Sequence, residues 1–254
     1  MDKKLRILCL HGMAQNATVF TKKTADIRKK VNKIADFGKS TLPFDFGGTH
    51  PFSLSLFLMR LVYITAPHLS VHPDHTSETL REVAADPTAP DELKPYGWWV
   101  YTDDQTPDDE PLIGFKQSMD VVKDVLIKQG PFDGVFGFSQ GASFASILTA
   151  MLEDRNILPD IIDSHFEHPP FRFAMMAASF IPERSMSSRL FAGKTTTPSL
   201  HIIGERDAMI TPDQMETLAA TFENPAFLRH TGGHVIPGNA ASRNDILAFV
   251  TKFT

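Results

Sequence analysis

The stretch Gly134-Val135-Phe136-Gly137-Phe138-Ser139-Gln140-Gly141 decides how the rest of the chain is read. Gly134 to Phe136 is strand-like, and a helical pattern begins after Gly141 and runs to about Asp154. Between them stands a G-x-S-x-G elbow. There the chain reverses so sharply that the serine is strained and exposed at the edge of a sheet, and small flanking residues keep the turn from clashing. The bare motif is frequent by chance; its strand-turn-helix setting gives this one its weight.

Working outward, Leu5 to Leu10 is a short apolar run that stops at His11-Gly12 and suits a buried parallel strand. From Asn16 to Phe37 the apolar positions Phe20, Ile27, Val31 and Ile34 recur at spacings of seven, four and three, which predicts an amphipathic helix. Leu61 to Ala66 reads as a second strand. Pro, Asp and Thr then dominate, so about 67–111 is expected to be an irregular surface excursion, with Trp98-Trp99 embedded in it. Ile113 to Gln129 is helical and is ended by Gly130-Pro131. Beyond the elbow come strands at Phe171 to Ala178, Ser199 to Ile203 and Ala226 to Arg229, with helices at Thr211 to Phe222 and about Ser242 to Phe253. Strands alternating with helices predict a single α/β domain over 1–254, with a mostly parallel sheet and helices on both faces. Its active site is expected at the carboxyl ends of the strands.

Serine is a poor nucleophile until a base takes its proton, and the base needs a carboxylate to orient it. In the α/β-hydrolase fold these follow in the order Ser, Asp, His, and the sequence offers that order. Asp207 lies in Gly204-Glu205-Arg206-Asp207, just beyond the Ser199 strand, and His234 lies in Thr231-Gly232-Gly233-His234, just beyond the last strand. The oxyanion of a tetrahedral intermediate needs donors as well. The backbone N–H groups of Gln140, directly after the serine, and of Met13, in the loop after the first strand, are the candidates.

Composition narrows the field. At 254 residues, 42% apolar and 22% charged, the chain can bury a full core. A formal charge of -5 and a pI near 6.0 give no electrostatic footprint for nucleic acid. Cys9 alone permits no intramolecular disulfide, and the Met-Asp-Lys-Lys start does not resemble a signal peptide, so a cytoplasmic protein is expected, with the nucleus open to it. The most apolar stretch, Leu54 to Ile64, contains Arg60 and is far shorter than the about 20 residues that cross a bilayer. Neither a membrane span nor a metal or other cofactor is expected.

Leu8-Cys9-Leu10-His11-Gly12, Ala66-Pro67-His68, Gly130 to Gly134, Gly137 to Gly141, Leu200 to Glu205 and Gly232-Gly233-His234 together resemble the FSH family of small eukaryotic serine hydrolases over nearly the whole chain. That family is similar to acyl-protein thioesterases and carboxylesterases, and it includes esterases and polyketide-releasing thioesterases. The resemblance implies the triad Ser139, Asp207 and His234 and does not transfer a substrate; the expected partner is a small-molecule acyl ester or thioester, free or bound to a carrier protein. About 38–58 departs from it: the run reads either as a lid loop or as an intron translated into protein.

Other readings are weaker. Ser143 and Ser146 lie off the turn and read as packing or capping residues, and Cys9 as a buried hydrophobe. His72-Pro73-Asp74-His75 and His165/His168 have metal-like spacings, yet no second cluster completes a ligand set. Gly38-Lys39-Ser40 lacks the upstream glycine of a phosphate loop, and Asp36-Phe37-Gly38 and Asp45-Phe46-Gly47 lack the rest of a kinase. His11 reads as structural rather than as a second base. Trp98 and Trp99 could line an acyl pocket or pack the excursion onto the core. Glu205 and Asp213 rival Asp207. The competing function is a non-catalytic binding protein on the same fold, which commonly lacks a triad member.

Overall fold

The computed structural model describes residues 5–29, 59–101, 112–182 and 185–254. Six parallel strands form the central sheet: β1 (Arg6–Leu10), β2 (Arg60–Ile64), β5 (Gly134–Phe138), β6 (Phe173–Ala177), β7 (Ser199–Gly204) and β8 (Pro225–His230). Their order is β2-β1-β5-β6-β7-β8. The chain therefore leaves β1 toward β2 and later returns to its other side at β5. That reversal opens a crevice at the carboxyl ends of β1 and β5, where ligands of open α/β sheets bind.

Successive strand residues face opposite sides of the sheet, and the sequence uses both. In β1, Leu8 and Leu10 join one core while Ile7 and Cys9 join the other; in β6, Ala174 and Met176 are divided from Phe173 and Met175 in the same way. Helices α3 (Phe115–Gln129) and α4 (Gln140–Glu153) cover the first face. Helices α1 (Ala17–Lys23) and α7 (Ala240–Val250) supply Phe20, Ile246 and Phe249 to the second. Every residue of α4 from Gln140 to Leu152 is buried, so this helix is central, and its polar members Gln140, Ser143, Ser146 and Thr149 are each hydrogen-bonded to backbone. Its Phe144, Ile147 and Leu148 each stabilise the fold by about 2–3 kcal/mol through burial.

The long helix expected from Asn16 is interrupted at Thr24 and resumes over 25–29; residues 30–37, and the 38–58 segment, lie outside the described residues. The excursion is more ordered than its composition suggests. It carries the antiparallel pair β3 (His68–Leu69) and β4 (Tyr96–Gly97), and helix α2 (Glu78–Ala85), capped by Ser77 Oγ. A further helix, α5 (Ser185–Leu190), was not foreseen, because six residues carry too little periodicity to read. Helix α6 (Pro212–Ala219) starts with a full capping box from Thr211 and Gln214.

Three of the buried histidines are held neutral by burial, and two of them, His168 and His11, are structural pins. His168 Nδ1–H donates to Pro169 O (2.7 Å), while Nε2 accepts from the Phe132 N–H (2.9 Å). His11 is built alike: Nδ1–H donates to Gly12 O (2.7 Å) and Nε2 accepts from the Ala66 N–H (3.0 Å). His201 lies within β7 beside Ser199 Oγ. Burial lowers the pKa of His11 to about 4 and of His201 to about 3, and also lowers that of His168. The unfolded chain, at about 6.5, binds these protons first. Stability is therefore fully present above about pH 6.5 and is lost as pH falls toward about 4. Thermal unfolding followed by circular dichroism should show the midpoint dropping steadily across that window. A midpoint unchanged from pH 7 to 4 would contradict the neutral-pin assignment.

Candidate active site

Ser139 is the single residue between β5 and α4, and its backbone has φ 53° and ψ −124°. A side chain at positive φ costs on the order of 1–3 kcal/mol and persists only where its surroundings impose it. Here they do. The Ser139 N–H donates to Ala177 O of β6 (2.8 Å), and its carbonyl accepts from the Ala142 and Ser143 N–H groups. A Cβ on Gly137 would collide with Gly141 O and Ala142 Cα, and one on Gly141 with the carbonyls of Leu10 and His11. The two motif glycines are thus required by the close approach of strand, helix and β1 loop.

The other two side chains arrive from neighbouring strand ends. Beyond β7 and β8 the ladder continues into the loops, with Glu205 N–H donating to His230 O and Arg206 N–H to Gly232 O. This zipper holds Asp207 and His234 together although 27 residues separate them. His230 Nδ1 accepts from the Gly232 N–H (3.1 Å) and fixes the base of the histidine loop. His234 Nδ1 lies 2.7 Å from Asp207 Oδ2, and His234 Nε2 lies 3.0 Å from Ser139 Oγ. The imidazole also packs on the Phe138 ring, 4.9 Å between centroids.

Asp207 is buried, and a buried carboxylate needs donors. Its Oδ1 accepts from the Met209 (2.9 Å) and Ile210 (3.0 Å) N–H groups, leaving Oδ2 for the imidazole. With a carboxylate accepting at Nδ1, the proton belongs on Nδ1 and Nε2 is left to accept from the serine hydroxyl. Of the rivals, Glu205 and Asp213 are both exposed, and Asp213 lies in the first turn of helix α6.

Gln140 begins α4, where the first N–H groups have no intrahelical partner and the helix dipole favours negative charge. Met13 follows His11-Gly12 in the turn after β1. The Gly12 carbonyl is taken by His11, so the Met13 N–H in the same peptide plane is turned the opposite way.

The remaining candidates stand apart. Ser143 Oγ donates to Phe180 O (2.6 Å), and Ser146 Oγ to Ser143 O (2.8 Å). Cys9 is buried, and its thiol is pushed well above the usual range by burial. No group of three metal-ligating side chains occurs among the described residues; His72 and His75 pack ring on ring, His75 packs on Tyr101, and His72 Nδ1 accepts from the Asp74 N–H (3.3 Å). Trp98 and Trp99 are both buried, so they are parts of the interior and not of an open wall. Sequence reading missed the Gln140 side chain, whose Oε1 accepts from the Trp98 N–H (2.7 Å) and whose Nε2 donates to Trp99 O (3.0 Å). The only signal for it was a Trp-Trp pair in an otherwise polar stretch.

Comparison with known proteins shows the family and the fold. The serine hydrolase (FSH1) family matches residues 1–246. Esterase OVCA2 of Xenopus tropicalis is 31% identical over 98% of this chain and 93% of its own length. Esterase CG5412 of Drosophila melanogaster is 30% identical over 98% of this chain and 74% of its own. Among solved structures, Zea mays acyl-protein thioesterase 2 superposes with a TM-score of 0.55 at 17% identity, covering 99% of this chain and 94% of that one, which establishes a shared α/β-hydrolase fold.

The elbow's packing is directly testable. Gly141→Ala puts a methyl group into two backbone carbonyls that cannot move away, and it should destabilise the protein by about 3 kcal/mol or more. Urea unfolding would report this as a lowered midpoint; an unchanged midpoint would mean that β1 and α4 are not in close contact.

Proposed function

We propose, for a chain that belongs to the serine hydrolase (FSH1) family, that Ser139, His234 and Asp207 form a catalytic triad cleaving a carboxylic ester or thioester through an acyl-enzyme. One observation carries the reading: the unbroken line from Asp207 Oδ2 through the imidazole to Ser139 Oγ, at 2.7 and 3.0 Å. A protein that kept this fold only to bind a partner would have no need of it.

In this reading His234 Nε2 takes the hydroxyl proton as Ser139 Oγ attacks the acyl carbon. Asp207 stabilises the resulting imidazolium without itself being protonated. The oxyanion is received by the Gln140 and Met13 N–H groups, each worth roughly 10²–10³ in rate. His234 then protonates the departing alcohol or thiol, and water admitted along the same path releases the acid. The substrate is a small acyl ester or thioester, free or carried on a protein, and release of a secondary metabolite from its carrier is one such setting. A hydrophobic acyl group suits a chain with 20 Phe and with Met13 beside the oxyanion loop. Cytoplasmic residence is part of the proposal, and it leaves nuclear presence open; among the described residues no helix is long and apolar enough to cross a membrane.

Ser139→Ala should abolish both fluorophosphonate labelling and hydrolysis of an acyl-ester and acyl-thioester panel, with the circular dichroism spectrum retained. Comparable turnover in that variant would remove the nucleophile assignment. Asp207→Asn should lower turnover by roughly 10⁴, because asparagine keeps the size but holds the imidazole in the wrong tautomer. Glu205→Gln and Asp213→Asn, measured beside it, should stay within a few-fold of the parent. If either of those proves the crippling change, the acid has been misassigned.

A further inference from the structure

Resting on that reading of Ser139, we propose that Trp98 is a positioning residue whose two N–H groups tie the two oxyanion donors to one another and fix the gap between them. The indole Nε1–H donates to His11 O (2.8 Å), on the β1 loop that carries Met13. The backbone N–H of the same residue donates to Gln140 Oε1 (2.7 Å), on the elbow itself. Gln140 closes the clamp by donating from Nε2 to Trp99 O (3.0 Å), and Ser118 Oγ holds the Trp98 carbonyl (2.7 Å). Trp98, His11, Ser118 and Gln140 are all buried, so none of these bonds can be exchanged for water without opening the interior.

The effect on the donors follows from peptide geometry. In a trans peptide the N–H points opposite the C=O, so holding a carbonyl aims the amide that follows it. Trp98 holds the His11 carbonyl and His11 holds the Gly12 carbonyl, so both peptides leading to Met13 are fixed in orientation. The His11 ring can do this in one tautomer only, because Nε2 already accepts from Ala66. It also lies against the indole, 5.3 Å between centroids. On the far side, the carboxamide of Gln140 locks the residue that supplies the other donor. Trp98 thus spans the crevice between β1 and β5 from behind. An oxyanion hole works only when both donors stand about 2.7–3.1 Å from the developing charge, and a 1 Å misplacement costs on the order of 10²-fold. A rigid strut behind the two donors supplies that constancy.

The excursion is docked to serve this purpose. Gln15 and Tyr96 exchange backbone hydrogen bonds (2.8 and 3.3 Å), and Asn16 Nδ2 donates to Glu92 O and Lys94 O. Residues just after the oxyanion loop therefore anchor the segment whose tryptophan returns to brace that loop.

The test is Trp98→Phe in the full chain, which keeps a ring against Phe144 and His11 but deletes the indole N–H. The turnover number on an ester substrate should fall between 10- and 100-fold while KM stays within about threefold. Inhibition by a trifluoromethyl ketone, whose serine adduct carries an oxyanion, should weaken by the same factor, and inhibition by the product acid should not change. A variant with parental turnover and parental trifluoromethyl ketone affinity overturns the proposal, as does one that loses turnover while the ketone and the product acid weaken together. Should Trp98→Phe fail to fold, Gln140→Met keeps the backbone N–H and removes the other half of the strut, and the same selective loss is required of it. Fluorophosphonate labelling separates this proposal from its premise: parental protein that takes no label overturns both, whereas label on Ser139 with no selective loss in either variant overturns the strut alone.

Discussion

At Ser139 a fully buried strand passes through one residue into a helix that is buried from Gln140 to Leu152, and that residue is forced to φ 53°. The turn is unfavourable by itself, and the surrounding packing exists to impose it. Gly137 and Gly141 let α4 and the β1 loop close to backbone contact, and Ala177 of β6 anchors the serine amide. The apolar side chains of α4, among them Phe144, Ile147 and Leu148, are buried and provide the driving force that holds the strained residue in place. The serine oxygen consequently stands at the mouth of the crevice that the strand order creates, within reach of the loops following β7 and β8.

Histidines in this protein divide by what their nitrogens meet. His11 and His168 give one nitrogen to a neighbouring carbonyl and the other to a distant amide, so both are spent on backbone. His234 meets a carboxylate on one side and a hydroxyl on the other. The first arrangement holds chain segments; the second can move a proton. The neighbouring His230 is again spent on backbone, steadying the loop that presents His234.

Much of this was legible in the sequence. The six sheet strands are short apolar runs punctuated by Gly, Pro or polar residues, and the serine, aspartate and histidine follow three of them in chain order. What the sequence concealed was long-range or too short to show a period. Helix α2 is polar, with no buried residue, so its pattern merged into the Pro- and Asp-rich stretch around it. The sequence left Trp98 and Trp99 open between an acyl pocket and packing of the 67–111 excursion onto the core; both are interior and bonded to Gln140 of the elbow, 42 and 41 positions away. No local pattern announces a glutamine side chain bonded to a distant backbone. The extension of the first helix past residue 29 and the 38–58 segment lie outside the described residues.

The proposed hydrolysis passes through a covalent intermediate on one oxygen, Ser139 Oγ. The most direct measurement is therefore acid quenching of the enzyme during turnover of a slowly deacylated aryl ester, followed by proteolysis and mass spectrometry of the peptide that contains Ser139. The account predicts a burst of aryl alcohol matched by an acyl mass on Ser139, disappearing as substrate is exhausted. Steady turnover with the acyl group on another side chain, or with no acylated peptide and no burst while deacylation is shown to be limiting, would contradict it.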